Sequence, residues 1–336
     1  MAQDSGIKIA MVGGGSYGWC PKLLSDMMRT PELEGSEIVL LDPNIVAAEE
    51  VKAAAEAIAS ALDKRYTVRA TSDEASAFRD ADFVIITIST GGLEMMAHDL
   101  AIPEKYGIYQ TVGDTVGPGG WSRALRNVPV FVHLGQEIER YAPHAVILNY
   151  SNPLACLTGT LTRVTSLRTV GLCHGVFADY RVLQKLLDVE EQDLAIRFGG
   201  VNHFFWILDF AVKGKPGYPL LTERLGEKTL DEALSEGETD EMGFHSHHAL
   251  CDALYRAHGY LPYVGDRHTS EFLPGYLTPE PAALERFRLV RTSVEERAQK
   301  REQARQVTRD LAEGKKAPFA RSRETAVDIM VAIAHD

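Results

Sequence analysis

The chain has few cysteines and no long apolar run, and each shortage excludes a class of protein. Its 336 residues include only four cysteines, too few for a disulfide framework in a chain of this length. Reduced thiols are typical of the cytoplasm. No stretch approaches the roughly 20 apolar residues of a membrane span, and no basic segment followed by an apolar one marks a signal peptide. The sequence therefore predicts a soluble, cytoplasmic protein.

An excess of basic residues is also missing. The formal net charge is -12 at pH 7, which argues against nucleic acid or an anionic membrane as the main partner. Hydrophobic residues make up 45% of the chain and charged residues 24%, as in globular proteins with a substantial core. We therefore expect a small-molecule partner.

The first half of the chain alternates strand and helix patterns. Buried strands are predicted at 7–12, 38–41, 66–70, 83–88, 146–150 and 169–173, and helices at 45–62 and 121–141. This alternation predicts an α/β fold with a doubly wound, Rossmann-type parallel sheet. The pattern loosens after about residue 195. We therefore predict a Rossmann domain over 1–194 and an α+β substrate domain over 195–336, with a solvated, charged helix at 293–314.

A glycine-rich turn follows the first predicted strand. Gly13, Gly15 and Gly18 fit the G-x-G-x-x-G pattern, with Ser16 inside it. In this pattern the glycines permit a tight turn, close approach of a pyrophosphate and close helix packing. Asp42 ends the second strand, at the spacing where a carboxylate binds the ribose 2′-hydroxyl and repels a 2′-phosphate. The sequence predicts NAD+ binding, in preference to NADP+.

Cys173 and His203 are candidate metal ligands. Each follows a predicted strand, and a thiolate with an imidazole can hold a divalent metal while leaving positions open for substrate and water. Taken singly, each residue is more typical of ordinary core packing. A second group, His245, His247 and His248, has no acidic or cysteine partner at ligand spacing, which favours a surface or supporting role.

Seven short segments occur in an order that points to one family. They are residues 9–16, 102–107, 113–120, 123–126, 151–153, 173–174 and 202–203. Together they resemble the NAD- and divalent-metal-dependent glycosidases of glycoside hydrolase family 4. The resemblance implies an architecture like that of lactate and malate dehydrogenases, NAD+ and Mn2+ as cofactors, and a homo-oligomer, either a dimer or a tetramer. A thiolate ligand by itself would suggest zinc or cobalt instead.

The resemblance also implies a mechanism that differs from the usual two-carboxylate chemistry of glycosidases. NAD+ takes hydride from C3 of the sugar, and the metal at Cys173 and His203 polarises the ketone that results. A base then removes the C2 proton, the glycosidic group leaves from C1, water adds, and the hydride returns. A carbonyl beside C2 makes that proton labile, so the steps are physically consistent.

Further roles carry over from the resemblance, residue by residue. Asn152 and Asn202 are expected to contact sugar hydroxyls, and His174 to protonate the leaving oxygen. The C2 base of phosphosugar members is a tyrosine in a loop that corresponds to residues 265–272, where this chain has none. Asp266 and His268 are the candidates there, with Asp266 slightly preferred. Asp114 is either a ligand of substrate or metal-bound water, or a turn-forming residue.

The resemblance also bears on the substrate. Phosphosugar members carry an arginine before the glycine pair at 91–92, whereas this chain has Ser89 and Thr90, so a 6-phosphate lacks its bidentate partner. The Cys-His-Gly form at 173–175 resembles members that act on α-linked uronic acids, and Arg267 is the candidate ligand for the sugar carboxylate. The alternative for Arg267 is an exposed loop residue paired with Glu271. Family members usually continue beyond a segment like 324–330, so the resemblance leaves two expectations open, a naturally short chain or an absent C-terminal segment.

Four other functions stay open. Within the family they are α-galactosidase and α-glucosidase. Outside it, a 2-hydroxyacid dehydrogenase of the lactate/malate type would share the fold but leave Cys173 without a use. A protein that binds NAD+ only as a sensor would turn nothing over. A dehydrogenase accumulates NADH with its substrate, whereas the glycosidase chemistry of the family turns its substrate over without net NADH.

Overall fold

The chain divides into two compact units, each made of separate segments. The computed structural model describes residues 6–234, 247–273, 275–278, 280–322 and 325–334. The first unit comprises Met1–Leu93, Ala124–Leu172 and Val294–Asp336, and the second comprises Glu94–Arg123 and Cys173–Ser293. The continuous domains predicted from the sequence, 1–194 and 195–336, divide the chain differently. The physical reason is that an internal segment packs with the second unit and the C-terminal helices pack with the first.

The first unit contains a parallel sheet. Its strands are β1 (Lys8–Val12), β2 (Glu37–Leu41), β3 (Thr67–Thr71), β4 (Phe83–Ile86), β5 (Val146–Asn149) and β6 (Arg168–Gly171). They lie in the order β3-β2-β1-β4-β5-β6, and each neighbouring pair is parallel. This is the strand order of a dinucleotide-binding, doubly wound sheet. The predicted fold class is confirmed, and each predicted strand lies within two residues of its observed bounds.

The helices alternate with the strands and continue into the second half of the chain. They are α1 (Cys20–Met28), α2 (Ile45–Ala61), α3 (Glu74–Phe78), α4 (Gly92–Glu104), α5 (Gly117–Tyr141), α6 (Leu154–Val164), α7 (Gly175–Leu187), α8 (Gly217–Leu225), α9 (Leu230–Leu234), α10 (Ala249–His258), α11 (Asp266–Phe272), α12 (Pro281–Arg286), α13 (Val294–Ala312) and α14 (Thr325–Ala334). The predicted helices at 45–62 and 121–141 are α2 and α5. No described helix is both long and apolar enough to cross a membrane.

Hydrophobic layers cover both faces of the parallel sheet, which explains why its central strands are apolar throughout. Side chains of successive strand residues point to opposite faces. Along β1, Ile9 and Met11 pack into one buried cluster, whereas Ala10 and Val12 pack into another. Helix α14 contributes Met330 and its neighbours to the first of these clusters. This burial ties the C-terminal helix to the first unit.

Two segments differ from the sequence-based expectation. Residues predicted as a loop at 265–272 form helix α11, and Arg267 within it is buried rather than exposed. The charged helix predicted at 293–314 is α13, but it is not solvated on all sides. It packs along α2 and buries Thr308 and Leu311. In both cases the local charge pattern concealed a packed face.

The second unit contains a smaller antiparallel sheet. Its strands are β7 (Leu194–Val201), β8 (Phe204–Val212) and β9 (Lys215–Pro216). The β7–β8 hairpin closes with Val201 opposite Phe204, so Asn202 and His203 form a two-residue turn. Helices α7 to α10 supply most of the other residues of the buried cluster beside this sheet, and Leu261 and Val264, which follow α10, supply the remaining two. A mixture of helices and antiparallel strands is the α+β character expected for this part of the chain.

Candidate active site

The glycine-rich turn of the first unit fits tightly against β2. The backbone N–H groups of Gly13 and Gly14 both donate to the Leu41 carbonyl, at 2.9 and 3.0 Å. Gly13 has a φ of 85°, and a Cβ atom there would lie 2.7 Å from the Thr87 carbonyl oxygen. A Cβ atom at Gly14 would lie 2.6 Å from the Leu40 backbone. Only glycine fits these positions, as expected of a turn that lets a ligand approach the backbone.

Asp42 holds this turn in place. Its Oδ2 atom accepts a hydrogen bond from the Gly15 N–H at 3.0 Å, and its Oδ1 atom accepts one from the Asn44 N–H at 2.8 Å. The next residue of the turn, Ser16, donates its N–H to the Gly13 carbonyl at 2.9 Å. Asp42 therefore has a structural role at the end of β2, where it was predicted to meet a ribose.

The third glycine of the motif does not pack as predicted. Gly18 is exposed, and a Cβ atom placed on it would meet no described atom within 4 Å. The reason is that α1 begins only at Cys20, so Gly18 still belongs to the turn. The expected close contact between helix and strand is absent at this position.

A cavity of about 340 Å³ lies beside the turn in the first unit. Its lining includes Tyr17 and Asn44, together with Arg301 and Arg305 of α13. Arg305 donates two hydrogen bonds to Glu50, at 3.0 and 2.9 Å. The cavity therefore combines the end of β2 with basic side chains from a helix that the sequence pattern assigned to solvent.

Two polar residues follow β5 in the first unit. Ser151 accepts the Ile88 N–H at 2.9 Å, which joins the ends of β4 and β5. The Asn152 Oδ1 atom accepts the Leu154 N–H at 3.2 Å. The predicted sugar ligand Asn152 thus uses its side-chain oxygen at the start of α6, and it is partly buried.

Cys173 and His203 meet in the second unit. The Cys173 Sγ atom lies 3.2 Å from the His203 Nε2 atom, although the residues are 30 positions apart. The Gly175 N–H, at the start of α7, donates to the same sulfur at 3.4 Å, and a helix N-terminus stabilises negative charge. His203 has a φ of 63°, a conformation that is uncommon outside glycine and often found at functional sites.

Asp114 and Thr115 lie against the same imidazole. The Thr115 Oγ1 atom donates to the Asp114 Oδ1 atom at 2.7 Å and lies 2.9 Å from the His203 Nδ1 atom. Burial lowers the pKa of His203, and the Asp114 charge offsets this only in part. Burial alone would raise the pKa of the Asp114 carboxyl, but the charges of His268 and Arg123 outweigh it and hold that pKa well below its usual range.

His268 completes the cluster. Its ring stacks on that of His203, with centroids 3.8 Å apart. Asp114, His203 and His268 offer ligand atoms that all lie within 4.8 Å of one another. Together with Cys173, these side chains provide sulfur, nitrogen and oxygen donors, the set that borderline divalent metals use.

Asp266 has a different environment, although it lies only two residues before His268. Both of its carboxylate oxygens accept backbone N–H groups, from Leu250 at 3.0 Å and from Cys251 at 2.9 Å. It is fully buried, and this burial raises the pKa of its carboxyl. Asp266 therefore caps the N-terminus of α10. This structural role differs from the predicted role of Asp266 as the preferred C2 base.

Arg267 is buried beside segments that precede α5 and α13. Its Nη2 atom donates to the Thr292 hydroxyl, and its backbone carbonyl accepts hydrogen bonds from Thr111 and from Ser270. The exposed-loop alternative does not hold, because Arg267 is only 7% exposed. One of the five N–H donors of the guanidinium is used in the contact with Thr292.

Glu271 was not identified as a site residue from the sequence. Its Oε1 atom accepts the N–H groups of Val112 and Gly113, both at 2.8 Å. Part of the residue reaches solvent, but the Oε2 atom is buried without a hydrogen-bond partner among the described residues. Burial, together with the Asp114 charge, raises the pKa of this carboxyl to about 7. The one available signal was its place at the end of the 265–272 segment.

The remaining predicted residues have less specific surroundings. His174 lies at the start of α7 and Asn202 precedes His203 in the hairpin turn, and both are partly exposed. Of the second histidine group, His245 lies outside the described residues. His248 is buried, with its Nδ1 atom 2.9 Å from the Val264 carbonyl oxygen. A supporting role suits His248, whereas a surface role does not.

The fold and these side chains define a dinucleotide-binding α/β protein with a candidate metal centre. Residues 8–189 match the family 4 glycosyl hydrolase model, and residues 198–336 match the model of the family 4 glycosyl hydrolase C-terminal domain. The chain belongs to family 4 of the glycosyl hydrolases. The expected resemblance is therefore confirmed.

Individual relatives agree with this family. An alpha-galacturonidase from Thermoanaerobacter italicus is 35% identical over 322 residues, which are 92% of this chain and 69% of that protein. A solved structure of lplD from Bacillus subtilis, described as a glucosidase, has a TM-score of 0.86 at 34% identity, with 97% of this chain and 76% of that chain covered. A 6-phospho-alpha-glucosidase from gut microorganisms, solved with NAD and Mn2+, shares the fold at a TM-score of 0.77 and 24% identity, with 98% and 74% covered.

Proposed function

We propose that this chain hydrolyses α-glycosides of uronic acids, α-galacturonides foremost, with NAD+ and a divalent metal as cofactors. The observation that carries the proposal is the Cys173–His203 pair, 3.2 Å apart, in a chain that also has a tight glycine turn after β1. Family membership and the similarity to an alpha-galacturonidase support the substrate class. The absence of an arginine before Gly91 argues against a 6-phosphate as the recognised group.

The second unit suits a metal. Cys173 and His203 would hold it, with Asp114 close enough to serve as a further ligand or to bind its water, and with His268 beside them. Burial keeps the His203 imidazole neutral, as a ligand must be. A divalent metal bound there would supply Lewis-acid polarisation of a substrate carbonyl. Mn2+ is proposed because it accepts the mixed oxygen and nitrogen donors around the thiolate, and because the gut 6-phospho-alpha-glucosidase binds it.

The first unit suits NAD+. The turn at Gly13, Gly14 and Gly15 has no room for side chains, which leaves its backbone open to a pyrophosphate. Asp42 lies at the end of β2, beside a cavity large enough for part of a nucleotide. Bound NAD+ would supply the hydride acceptor for oxidation at C3.

His268 is the better candidate for the C2 base. Its ring lies against His203, and an imidazole can accept a proton near neutral pH. Both oxygens of Asp266 already accept N–H groups at the start of α10. If the carboxylate turned toward the sugar, these two helix N–H groups would lose their acceptors. We assign proton removal to His268, protonation of the leaving oxygen to His174, and helix capping to Asp266. Asn152 and Asn202 are assigned to sugar hydroxyls.

The test of this function is hydrolysis in heavy water. Oxidation at C3 makes the hydrogen at C2 exchangeable, so the released sugar should carry deuterium at C2, with no net NADH formed. A panel of chromogenic α-galacturonide, α-glucuronide, α-galactoside and α-glucoside, with NAD+ and Mn2+, identifies the sugar. Turnover without C2 deuterium would overturn the mechanism.

The panel also separates the other candidates. Faster turnover of a neutral α-hexoside than of either uronide would replace the proposed substrate with that of an α-galactosidase or α-glucosidase. Stoichiometric NADH from a 2-hydroxyacid would indicate a dehydrogenase. NAD+ binding without turnover of any of these compounds would indicate a sensor.

A further inference from the structure

Thr115 lies between an acid and a candidate metal ligand. Its Oγ1 atom is 2.7 Å from the Asp114 Oδ1 atom and 2.9 Å from the His203 Nδ1 atom. No motif in the sequence gives this threonine a role, and the proposed chemistry does not use it. Its hydroxyl nevertheless contacts one nitrogen of an imidazole whose other nitrogen faces Cys173.

The number of hydrogens on each group determines which one donates in these two contacts. A threonine hydroxyl has one hydrogen and two lone pairs, and the hydrogen of Thr115 is directed from its Oγ1 atom to the Asp114 Oδ1 atom, at 2.7 Å. The hydroxyl oxygen must therefore accept from His203. It follows that His203 carries its proton on Nδ1. The Nε2 lone pair then points toward Cys173, where a metal would bind.

From this geometry we infer that Thr115 is a positioning residue, which fixes the tautomer and ring orientation of His203 so that Nε2 is the metal-binding atom. The inference rests on the metal site of the proposed function. Groups that orient a ligating histidine through its second nitrogen typically change metal affinity by about 10–100-fold when removed. Here a neutral hydroxyl, aligned by its hydrogen bond to Asp114, occupies the place where a carboxylate or carbonyl often acts directly.

Glu271 supports this arrangement from the other side of the turn. It accepts the N–H groups of Val112 and Gly113 at 2.8 Å, immediately before Asp114 and Thr115 in the chain. The backbone that carries the threonine is thus held independently of the hydroxyl. A substitution that removes only the hydroxyl should leave the turn in place, which makes Thr115 suitable for a test.

The test compares Thr115→Val, which keeps the shape and loses the hydroxyl, with Thr115→Ser, which keeps the hydroxyl. Mn2+ affinity is measured without substrate, by electron paramagnetic resonance of the free ion. The valine variant should bind Mn2+ about 10–100-fold more weakly, and the serine variant within a few-fold of the parent protein. Thr162→Val, an exposed position on α6 whose hydroxyl bonds its own helix, should change nothing.

A second readout needs no metal. Nitrogen-15 NMR of histidine-labelled, chelator-treated protein should show His203 protonated at Nδ1 in the parent and in Thr115→Ser, with loss of that preference in Thr115→Val. Equal Mn2+ affinity in the valine variant, or a parent His203 protonated at Nε2, would overturn the inference. If the parent protein binds no Mn2+ but shows the Nδ1 tautomer, the metal proposal fails, and only the control of the His203 tautomer by Thr115 stands. If Thr115→Val does not fold, the parent tautomer and the serine variant still decide.

Discussion

The buried carboxyl of Glu271 should make the protein less stable as pH rises, and Glu271→Gln should remove this effect. An amide oxygen can accept the same N–H groups of Val112 and Gly113 that the Oε1 atom accepts at 2.8 Å. Glutamine cannot ionise, however. The two proteins therefore differ mainly in whether a negative charge forms beside Asp114.

The size of the effect follows from the raised pKa. Burial and the Asp114 charge move the pKa of Glu271 from 4.5 to about 7. A tenfold change in proton affinity corresponds to about 1.4 kcal/mol, so ionising this carboxyl in the folded protein costs on the order of 3 kcal/mol. Below pH 4.5 both the folded and unfolded chains are protonated and the cost is absent. Between pH 4.5 and 7 the unfolded chain loses its proton first, so the stability falls until the folded carboxyl also ionises.

The assay is urea unfolding of metal-free and NAD+-free protein at pH 5 and pH 8, followed by circular dichroism. Comparing variant and parent at the same pH cancels the titration of all other groups. The free energy of unfolding of Glu271→Gln, relative to the parent, should rise by about 2–3 kcal/mol between the two pH values. Glu56→Gln, on the exposed face of α2, serves as the control and should stay within ~0.5 kcal/mol of the parent at both.

The slope with pH decides the result, not the stability at one pH. The amide NH2 of glutamine replaces the buried Oε2 atom, which shifts the variant by a constant amount. If the difference in unfolding free energy between variant and parent is the same at pH 5 and pH 8, the folded protein does not raise the pKa of the Glu271 carboxyl. An increase in the parent's relative stability with pH would contradict the sign of the argument.

Two further predictions concern the ligands. Because the Asp42 carboxylate would lie beside a 2′-phosphate, NAD+ should bind at least about tenfold more tightly than NADP+ by calorimetry. Asp42→Asn should reduce this difference in affinity. Equal affinities in the parent protein would show that Asp42 does not select the cofactor. Arg267→Lys should lower kcat/KM for an α-uronide strongly, since losing one of two parallel charge-assisted hydrogen bonds costs about 2–5 kcal/mol, while a neutral α-hexoside should be affected much less. Equal losses on both substrates would show that Arg267 acts only through its buried contact with Thr292.

The parallel sheet could be predicted from the sequence because its signals are local. Each central strand is apolar on both faces and is followed by a turn, so its position is visible within a window of a few residues. The packing of the two C-terminal helices with the first unit could not be predicted in this way. The charge of α13 conceals the two residues that it buries, Thr308 and Leu311, and α14 reaches the first core through Met330. Both depend on long-range packing.

The site was predicted in part, for a related reason. Cys173 and His203 each follow a strand, and the structure brings their side chains to within 3.2 Å of each other, while their role as metal ligands stays a prediction. The choice between Asp266 and His268 needed the secondary structure of their segment. In a loop both side chains could reach one site, but residues two apart on a helix do not face the same way. Because α11 is a helix, Asp266 points to the start of α10 while His268 stacks on His203.

The crossover between β4 and β5 explains why the site depends on residues that carry little local signal. A parallel crossover needs only about a dozen residues, yet residues 87–145 connect these two strands, and Glu94–Arg123 belongs to the second unit. That excursion brings Asp114 and Thr115 to the hairpin turn that carries His203. Glu271 then holds the backbone of this segment by accepting the N–H groups of Val112 and Gly113. The candidate metal ligands Cys173 and His203 follow strands that the fold positions by itself, whereas the Nδ1 side of His203 meets a long insertion whose backbone is held by Glu271. Substitutions in this insertion should therefore alter metal binding before they alter the parallel sheet.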